Sequence, residues 1–370
     1  MKWPWTPAET KTVPAFTALS GLPAVRWGGH DDTALMRDGY LSNAVCHRCV
    51  RMVAEAAASI PLRAAPEPVS VLLSRPSAEV SGRTLLERIY TDLQLSGNAW
   101  LEAVCLPEGR DPRALHAWSP LAARPVQDRL GRVIGQALQT VRGERVVAPD
   151  PDGWSRVLHL KLYHPGDAAR GLSPLAAARQ ALDLHNGTAS WAKALLDNAA
   201  RPSGALVYGR DGHRLSDDQF DRLKAELEGA HSGAVNAGRP LLLEGGLDWR
   251  PMSLSPAEMD FRETRHAAAR EIALAFGVPP MLLGIPGDNT YANYREANLA
   301  FWRQSVLPLV RRTSETLSQW LQGRFEAARL TPDLEEVPAF AAERDALWAR
   351  IGTADFLSAQ EKRDLLGVTA

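Results

Sequence analysis

The sequence predicts an α+β fold built from more than one unit, on three observations. Its 370 residues, 45% hydrophobic and 23% charged, exceed a typical single core and suit a well-buried globular chain. Up to residue 170, helical stripes are interleaved with short β-branched runs. Beyond it three long helical stretches dominate, with strands in one short insert between the first two.

Residues 1–39 carry Pro4, Pro7, Pro14, Pro23, Gly28 and Gly29 without sustained periodicity and read as an extended arm, order beginning at Tyr40. Over 42–59, Val45, Cys49, Val50, Val53 and Ala57 make a helical stripe that stops before Pro61. A second helix is expected over 81–96, with Leu85, Leu86, Ile89 and Leu93 inward, and Gly97-Asn98 then turns the chain into a strand over 99–106. Strand candidates continue through Val126, over 133–141 and over 157–162, so 40–170 reads as one α+β domain.

Ser173-Pro174 is a helix start, Ser at the cap and Pro in the first turn. Leu175, Leu182, Ala189 and Leu196 then recur every seventh residue, flanked by Ala178, His185 and Ala192. One unbroken helix to residue 200 would be about 40 Å long. The insert over 203–254 predicts a strand at 205–208, a helix at 216–231 and a strand pair over 239–252 turned at Gly245-Gly246. A second long helix over 255–276 ends at Gly277-Val278-Pro279-Pro280. Residues 285–293 form a polar loop, and a third long helix over 294–322 should kink at Pro308. A Pro-bounded linker over 331–338 leads to two short helices, at 341–351 and from 358.

The chemical signals are weak. Cys46-His47-Arg48-Cys49 has the spacing of half a zinc site, but no second cysteine pair exists and a helix would bury both thiols as small apolar groups. His159, His164 and Asp167 could line an enzyme pocket, yet no matching nucleophile accompanies them. No phosphate-loop, hydrolase-elbow or zinc-protease motif occurs, so neither catalysis nor a cofactor is expected. Arg262, Glu263, Arg265, Arg270 and Glu271 put mixed charge on the second long helix. Such charges either pair along the helix on a wet face, or join subunits around a ring or line an aqueous channel.

The 42 Lys and Arg against 43 Asp and Glu argue against a protein whose main task is gripping nucleic acid, which needs a basic excess. Three cysteines make no disulfide framework and point to a reducing cytoplasm. The opening residues lack the apolar core of a secretory signal, and no uncharged apolar run reaches the roughly 20 residues of a membrane span. A soluble chain without a membrane partner is expected.

The order of motifs resembles the portal proteins of long-tailed phages and of the related gene transfer agents, from residue 40 to 368. NAVCHRCVRMVAEAAASIPL at 43–62 looks like the family's opening helix, and LQLSGNAWLE at 93–102 like its Gly-Asn-aromatic turn. VLHLKLYHPGDAARGLSPLAAARQALDL at 157–184 is similar to its strand, Gly-Leu-Ser-Pro-Leu and long helix. EIALAFGVPPMLLG at 271–284 resembles its most recognisable motif, and 293–308 the Asn-containing loop and helix after it. Residues 352–367 look like its terminal region, although Ala359-Gln360-Glu361-Lys362-Arg363 replaces the more usual Asn-Glu-x-Arg. Five motifs in the right order carry more weight than any one.

The resemblance implies roles. Residues 40–170, with roughly 324–340, would be the wing; 171–202 and 255–280 the paired stem helices; and 203–254 the clip. Residues 281–293 would be the tunnel loop, 294–340 the kinked helix returning to the wing, and 341–370 the crown. Double-stranded DNA would pass without sequence readout, near Gly287, Asp288, Asn289, Thr290, Tyr291 and Asn293. The stem charges would face the channel or the next subunit. The clip, at Asp217, Asp218, Asp221, Lys224 and Glu228, would meet the terminase large subunit and later the head–tail adaptor. The ring, twelve subunits in family virions, would sit at one vertex of the major capsid protein shell. The short length and Ala/Arg-rich composition lean toward a gene transfer agent or compact prophage. Ala-rich helices suit close packing in a ring, and near-zero net charge suits a conduit through which DNA slides. The other readings are a small-molecule enzyme using His159, His164 and Asp167, or a different head–tail structural protein.

Overall fold

The computed structural model describes residues 32–106, 110–197, 204–208, 218, 247–251, 260–286 and 291–365. Order begins before Tyr40. Helix α1 (Asp32–Leu35) widens into a π-helical turn over Met36–Leu41, because Leu35 and Gly39 are buried against the body instead of trailing in an arm. A side chain at Gly39 would stand 2.8 Å from Leu175 Cδ1, so glycine lets this turn approach the long helix.

Helix α2 (Ala44–Ser59) is capped by Asn43, whose Oδ1 accepts from the Cys46 N–H at 3.0 Å. It buries Cys46, Cys49, Val50, Val53 and Ala57, the stripe its periodicity required. Strand β1 (Leu62–Ala65) and helix α3 (Glu67–Ser74) follow. Helix α4 (Gly82–Ser96) packs on α2, starts at the Ser81 cap and stops at Gly97, which takes the left-handed φ of 74°.

Strand β2 (Asn98–Cys105) is the centre of an antiparallel sheet, flanked by β3 (Pro112–Trp118) and β7 (Val157–Lys161). Its first four residues are all buried, as befits a middle strand covered on both faces. Strands β4 (Ala123–Gln127), β5 (Val133–Thr140) and β6 (Gly143–Val147) form a separate meander. Its Ala123 and Leu138 share a small core with Trp100 and Val157.

The first long helix is divided. Helix α5 (Pro174–Ala177), capped by Ser173, is separated by Ala178 from α6 (Arg179–Asp197). The heptad stripe still points inward, with Leu175, Ala178, Ala181 and Leu182 buried. Strand β8 (Gly204–Tyr208) pairs antiparallel with β9 (Leu247–Pro251), Gly204 opposite Pro251. The insert therefore leaves and returns through one ribbon. Helix α7 (Phe261–Ala275) follows Asp260, which sits in a left-handed conformation (φ 41°); residues 255–259 of the expected span lie outside the described residues.

The third long helix begins at Tyr291 as α8 (Tyr291–Phe301), passes through a π-helical turn over Trp302–Val306, and continues as α9 (Leu307–Gln322). The expected irregularity lies just ahead of Pro308. The widened turn takes the register change that a missing proline N–H imposes. Strand β10 (Arg329–Pro332) pairs with β1, so the supposed linker from 331 starts inside a strand. Helix α10 (Ala341–Gly352) and α11 (Ala359–Leu365) end the described chain. Ser358 and Glu361 form a reciprocal capping box at the start of α11. Among the described residues no helix is long and apolar enough to cross a membrane.

Candidate functional site at the paired long helices

Helices α6 and α7 pair antiparallel. Trp191 stacks on Phe261 with ring centroids 4.2 Å apart, while His185, earlier on α6, meets Arg265, later on α7. The inward face of α7 is made of small residues and one Ile: Ala268, Ala269, Ile272 and Ala273 are buried. Its outward face is wet, with Glu263, Arg270 and Glu271 exposed and Leu274 77% exposed.

Of the five charges singled out on this helix, none forms an ion pair among the described residues. The intrahelical pairing reading therefore has no support in the geometry. Arg270 instead donates to the Pro286 carbonyl. Arg265 lies on the side facing α6, with Nε 3.4 Å from His185 Nε2.

A buried polar bracket fastens α6 to the start of α2. Asn186 Nδ2 donates to the Asp38 carbonyl at 2.8 Å, and Asn43 Nδ2 donates to Asn186 Oδ1 at 2.8 Å. Asn43 Nδ2 also lies 2.9 Å from His185 Nδ1. Burial, then the Arg265 charge, pushes the His185 pKa down and keeps the ring neutral. Sequence reasoning placed His185 beside the heptad stripe but missed the bracket. The signal was a helix-cap Asn and an Asn-His pair on an Ala/Leu helix, whose meeting depends on a separation of 142 residues.

The far end of α7 is closed by its Gly-Pro-Pro sequence. Gly277 is left-handed (φ 64°), and the Val278 N–H reaches back to the Ala273 carbonyl at 2.9 Å. Ser305 Oγ, from the π-helical turn, donates to the Gly277 carbonyl at 2.6 Å, and a Cβ at Gly277 would lie 2.4 Å from that Oγ. The end of α7 and the π-helical turn are therefore clamped together, and Ile285 beyond them is buried. Gly287, Asp288, Asn289 and Thr290 lie outside the described residues. Tyr291 and Asn293 are in the first turn of α8 and not in the loop, Asn293 being exposed. In the insert, Asp217, Asp221, Lys224 and Glu228 lie outside the described residues, as do the helix expected over 216–231, apart from Asp218, and residues 239–246. Asp218 is helical and exposed.

The residues of the enzyme reading do structural work instead. His159 stacks on Trp100 with centroids 4.3 Å apart, and its Nε2 donates to Asn98 Oδ1 at 2.9 Å. Burial, reinforced by Lys161 and Arg170, drives its pKa from 6.5 to about 3, so it is neutral. His164 Nδ1 accepts from the Gly166 N–H, and Asp167 Oδ1 accepts from the Ala169 and Arg170 N–H groups. Both shape the turn before Gly171. Cys46 and Cys49 are fully buried in α2, their thiols pushed up to about 12 by burial, which removes the thiolate a metal needs.

A second joint was not legible beforehand. Arg324, 7% exposed, forks between Asp150 at 2.8 Å and Asp152 at 2.7 Å, and its guanidinium lies 4.0 Å from the Trp154 ring centroid. Trp154 donates to the Trp320 carbonyl, and Trp320 to the Ser155 carbonyl. The β6–β7 loop is thereby clasped to the end of α9.

An α+β body, two antiparallel helices with a charged free face, and an insert returned through one ribbon define a structural subunit that assembles no catalytic group among its described residues. The sequence profile of the phage portal proteins matches residues 44–367, and the chain belongs to that family. The family role is structural, which overturns the enzyme reading. The chain is 39% identical over 342 residues to an uncharacterised protein of Rickettsia bellii (strain RML369-C), covering 90% of this chain and 88% of the relative. To the "Probable portal protein" of Streptomyces phage phiC31 it is 28% identical over 374 residues, covering 90% and 78%. In structure it is similar, at 50% identity, to a chain in the neck of an empty gene transfer agent particle solved with C6 symmetry. The TM-score is 0.72, covering 93% of this chain and 95% of that one. The native neck solved with C12 symmetry matches with the same coverage and a TM-score of 0.71.

Proposed function

We propose that the chain is one segment of a homo-oligomeric portal ring at a capsid vertex, in a particle of the phage or gene transfer agent type, through which double-stranded DNA is packaged and released. The observation that carries this reading is the 50% identity, over nearly the whole of both chains, to a chain in a gene transfer agent neck solved with C12 symmetry. The physical chemistry agrees. Near-zero net charge keeps DNA from being gripped by extensive counterion release, and the free face of α7 carries both signs of charge.

In the finer assignment, α5–α6 and α7 form the stem, the insert forms the clip, and residues 287–290 form the tip of the tunnel loop. The clip meets the terminase large subunit and then the head–tail adaptor, and the wing meets the major capsid protein. What supports this division is the antiparallel ribbon of β8 and β9, through which the chain enters and leaves the insert.

The test is assembly. Native mass spectrometry or negative-stain imaging should find rings of about twelve copies of the 40.3 kDa chain. A stable monomer in every condition, with capsid protein and adaptor present, would refute the ring. Charge reversal at Asp217 and Asp218 should weaken terminase or adaptor docking with the subunit still folded. Trimming Asp288 to Thr290 should impair DNA translocation without affecting ring formation.

A further inference from the structure

A groove runs between the start of α9 and the first two turns of α10. Leu307 and Pro308 of α9, Leu334 and Phe340 of the connecting segment, and Leu347 and Trp348 of α10 line it, enclosing about 540 Å³. Leu347 is 37% and Trp348 51% exposed, so the lining is open to water in the single subunit. An apolar lining of this size is costly to leave wet and marks a surface that another element covers. Charge on its rim is unevenly matched. Arg303 pairs with Glu343 at 2.6 Å, and Arg344 donates to the Glu335 carbonyl. Arg311, also on the rim, is exposed and forms no ion pair among the described residues.

The same chain carries a knob of the matching kind. Phe356, between α10 and α11, is 86% exposed, and Asp355 beside it is exposed and forms no ion pair among the described residues. The turn that presents them is fixed by its own hydrogen bonds. The Ala354 N–H donates to the Ile351 carbonyl at 3.2 Å, the Leu357 N–H to the Ala354 carbonyl at 3.3 Å, and Lys362 Nζ to the Gly352 carbonyl at 3.0 Å. An aromatic side chain on a fixed turn gives up little freedom when it docks. Phe356 lies past the end of α10, whereas the groove lies along its beginning, so the knob stands outside its own groove.

We infer that Phe356 of one copy seats in the groove of the next, with Asp355 against Arg311, and so joins the C-terminal helices of adjacent subunits. This rests on the ring reading above. In a closed ring each interface joins two different faces of the same subunit, and knob and groove are two such faces, at opposite ends of α10. An aromatic anchor in an apolar pocket with a charge pair on its rim is the arrangement that concentrates binding energy in a few residues. The charges select a second copy as the occupant, because the acid beside the knob meets the one rim arginine that its own subunit leaves without a carboxylate or carbonyl partner among the described residues.

Knob removal and a charge swap on the full-length chain test the inference. Phe356→Ser should cut the ring fraction at least about tenfold at the concentration where the unmodified chain is half assembled. Asp355→Arg and Arg311→Asp should each cut it at least about fivefold, and the two together should recover it to within about twofold of the unmodified chain. Circular dichroism reports folding. Should Arg311→Asp not fold, Leu347→Glu, on the exposed groove wall, must show the loss seen with Phe356→Ser. A Phe356→Ser chain that assembles like the unmodified one overturns the inference and leaves the portal reading intact. Loss with Phe356→Ser but no recovery in the folded double charge variant also overturns it, since the knob then docks elsewhere. An unmodified chain that never assembles, even with capsid protein and adaptor, overturns the ring reading and this inference with it.

Discussion

Replacing Asn98 by Ala should be among the most damaging single changes in the subunit. The side chain is 4% exposed and makes four hydrogen bonds across the joint between β2 and the approach to α5. Its Oδ1 accepts from the Gly171 N–H at 2.7 Å and from His159 Nε2 at 2.9 Å. Its Nδ2 donates to the Ser96 carbonyl at 2.7 Å and to the Gly171 carbonyl at 3.2 Å. No other side chain can take its place, because Gly171 already packs so closely that a Cβ there would lie 2.0 Å from the Gly97 carbonyl oxygen. At about 1 kcal/mol net per bond, the loss is about 4 kcal/mol, a large part of the roughly 5–15 kcal/mol that holds a domain together. Urea unfolding should show a midpoint lower by at least roughly 1 M, and amide exchange should accelerate first around Gly97 and Gly171. Asn98→Asp should fare no better, since its second oxygen would face two carbonyls. A midpoint shift below roughly 0.3 M would refute the reasoning, showing that water replaces the amide at little cost.

Three further outcomes follow from the same structure. Neutral, buried His159 has a folded pKa of about 3 against 6.5 in the unfolded chain, so the unfolded state takes up the proton first on acidification. Its stabilising contribution is complete above pH 6.5 and declines as pH falls toward 3. Unfolding titrations should show on the order of 2 kcal/mol lost by pH 5, a slope absent in His159→Gln. Asp92 has the opposite sign: burial, only partly relieved by Arg88 at 3.9 Å, raises its pKa from 3.8 to about 7. Stability from this site is complete below pH 3.8 and falls as pH rises toward 7, and Asp92→Asn should gain about 2 kcal/mol at pH 8, read from the urea midpoint. Arg324→Ala leaves Asp150 and Asp152 without their shared fork and uncovers Trp154, and should lower stability by about 3 kcal/mol. Limited proteolysis in the 150–156 loop reports whether the clasp has opened.

Much of the site's framework was legible because its causes are local. The α2 stripe, the Ser173 cap, the Gly97 stop and the Gly277-Pro279-Pro280 terminus each follow from the dihedral preference or hydrogen-bond capacity of residues within one turn. What was misread depends on partners distant in sequence. The arm was extended to residue 39 because nothing nearby shows that Leu35 and Gly39 are buried against the body and Leu175. The supposed linker after 331 is a strand edge because β1 supplies its partner from the other end of the chain. The third long helix starts at Tyr291, so two residues assigned to the loop belong to the helix.

By itself the sequence determined the α+β class, the long helices, the order of motifs that marks a portal, and the absence of any recognisable catalytic motif, since these depend on periodicity, capping and composition. The tertiary structure alone decided which polar side chains meet. It turned His159 from a candidate acid–base group into a stacked, neutral strut, and made Asn43, Asn186 and His185 one oriented bracket. It also brought Arg265 to the seam instead of the open face. The physical reason is that a side chain's protonation and partners are set by groups 61 to 143 residues away in these cases, and only folding brings those groups into range.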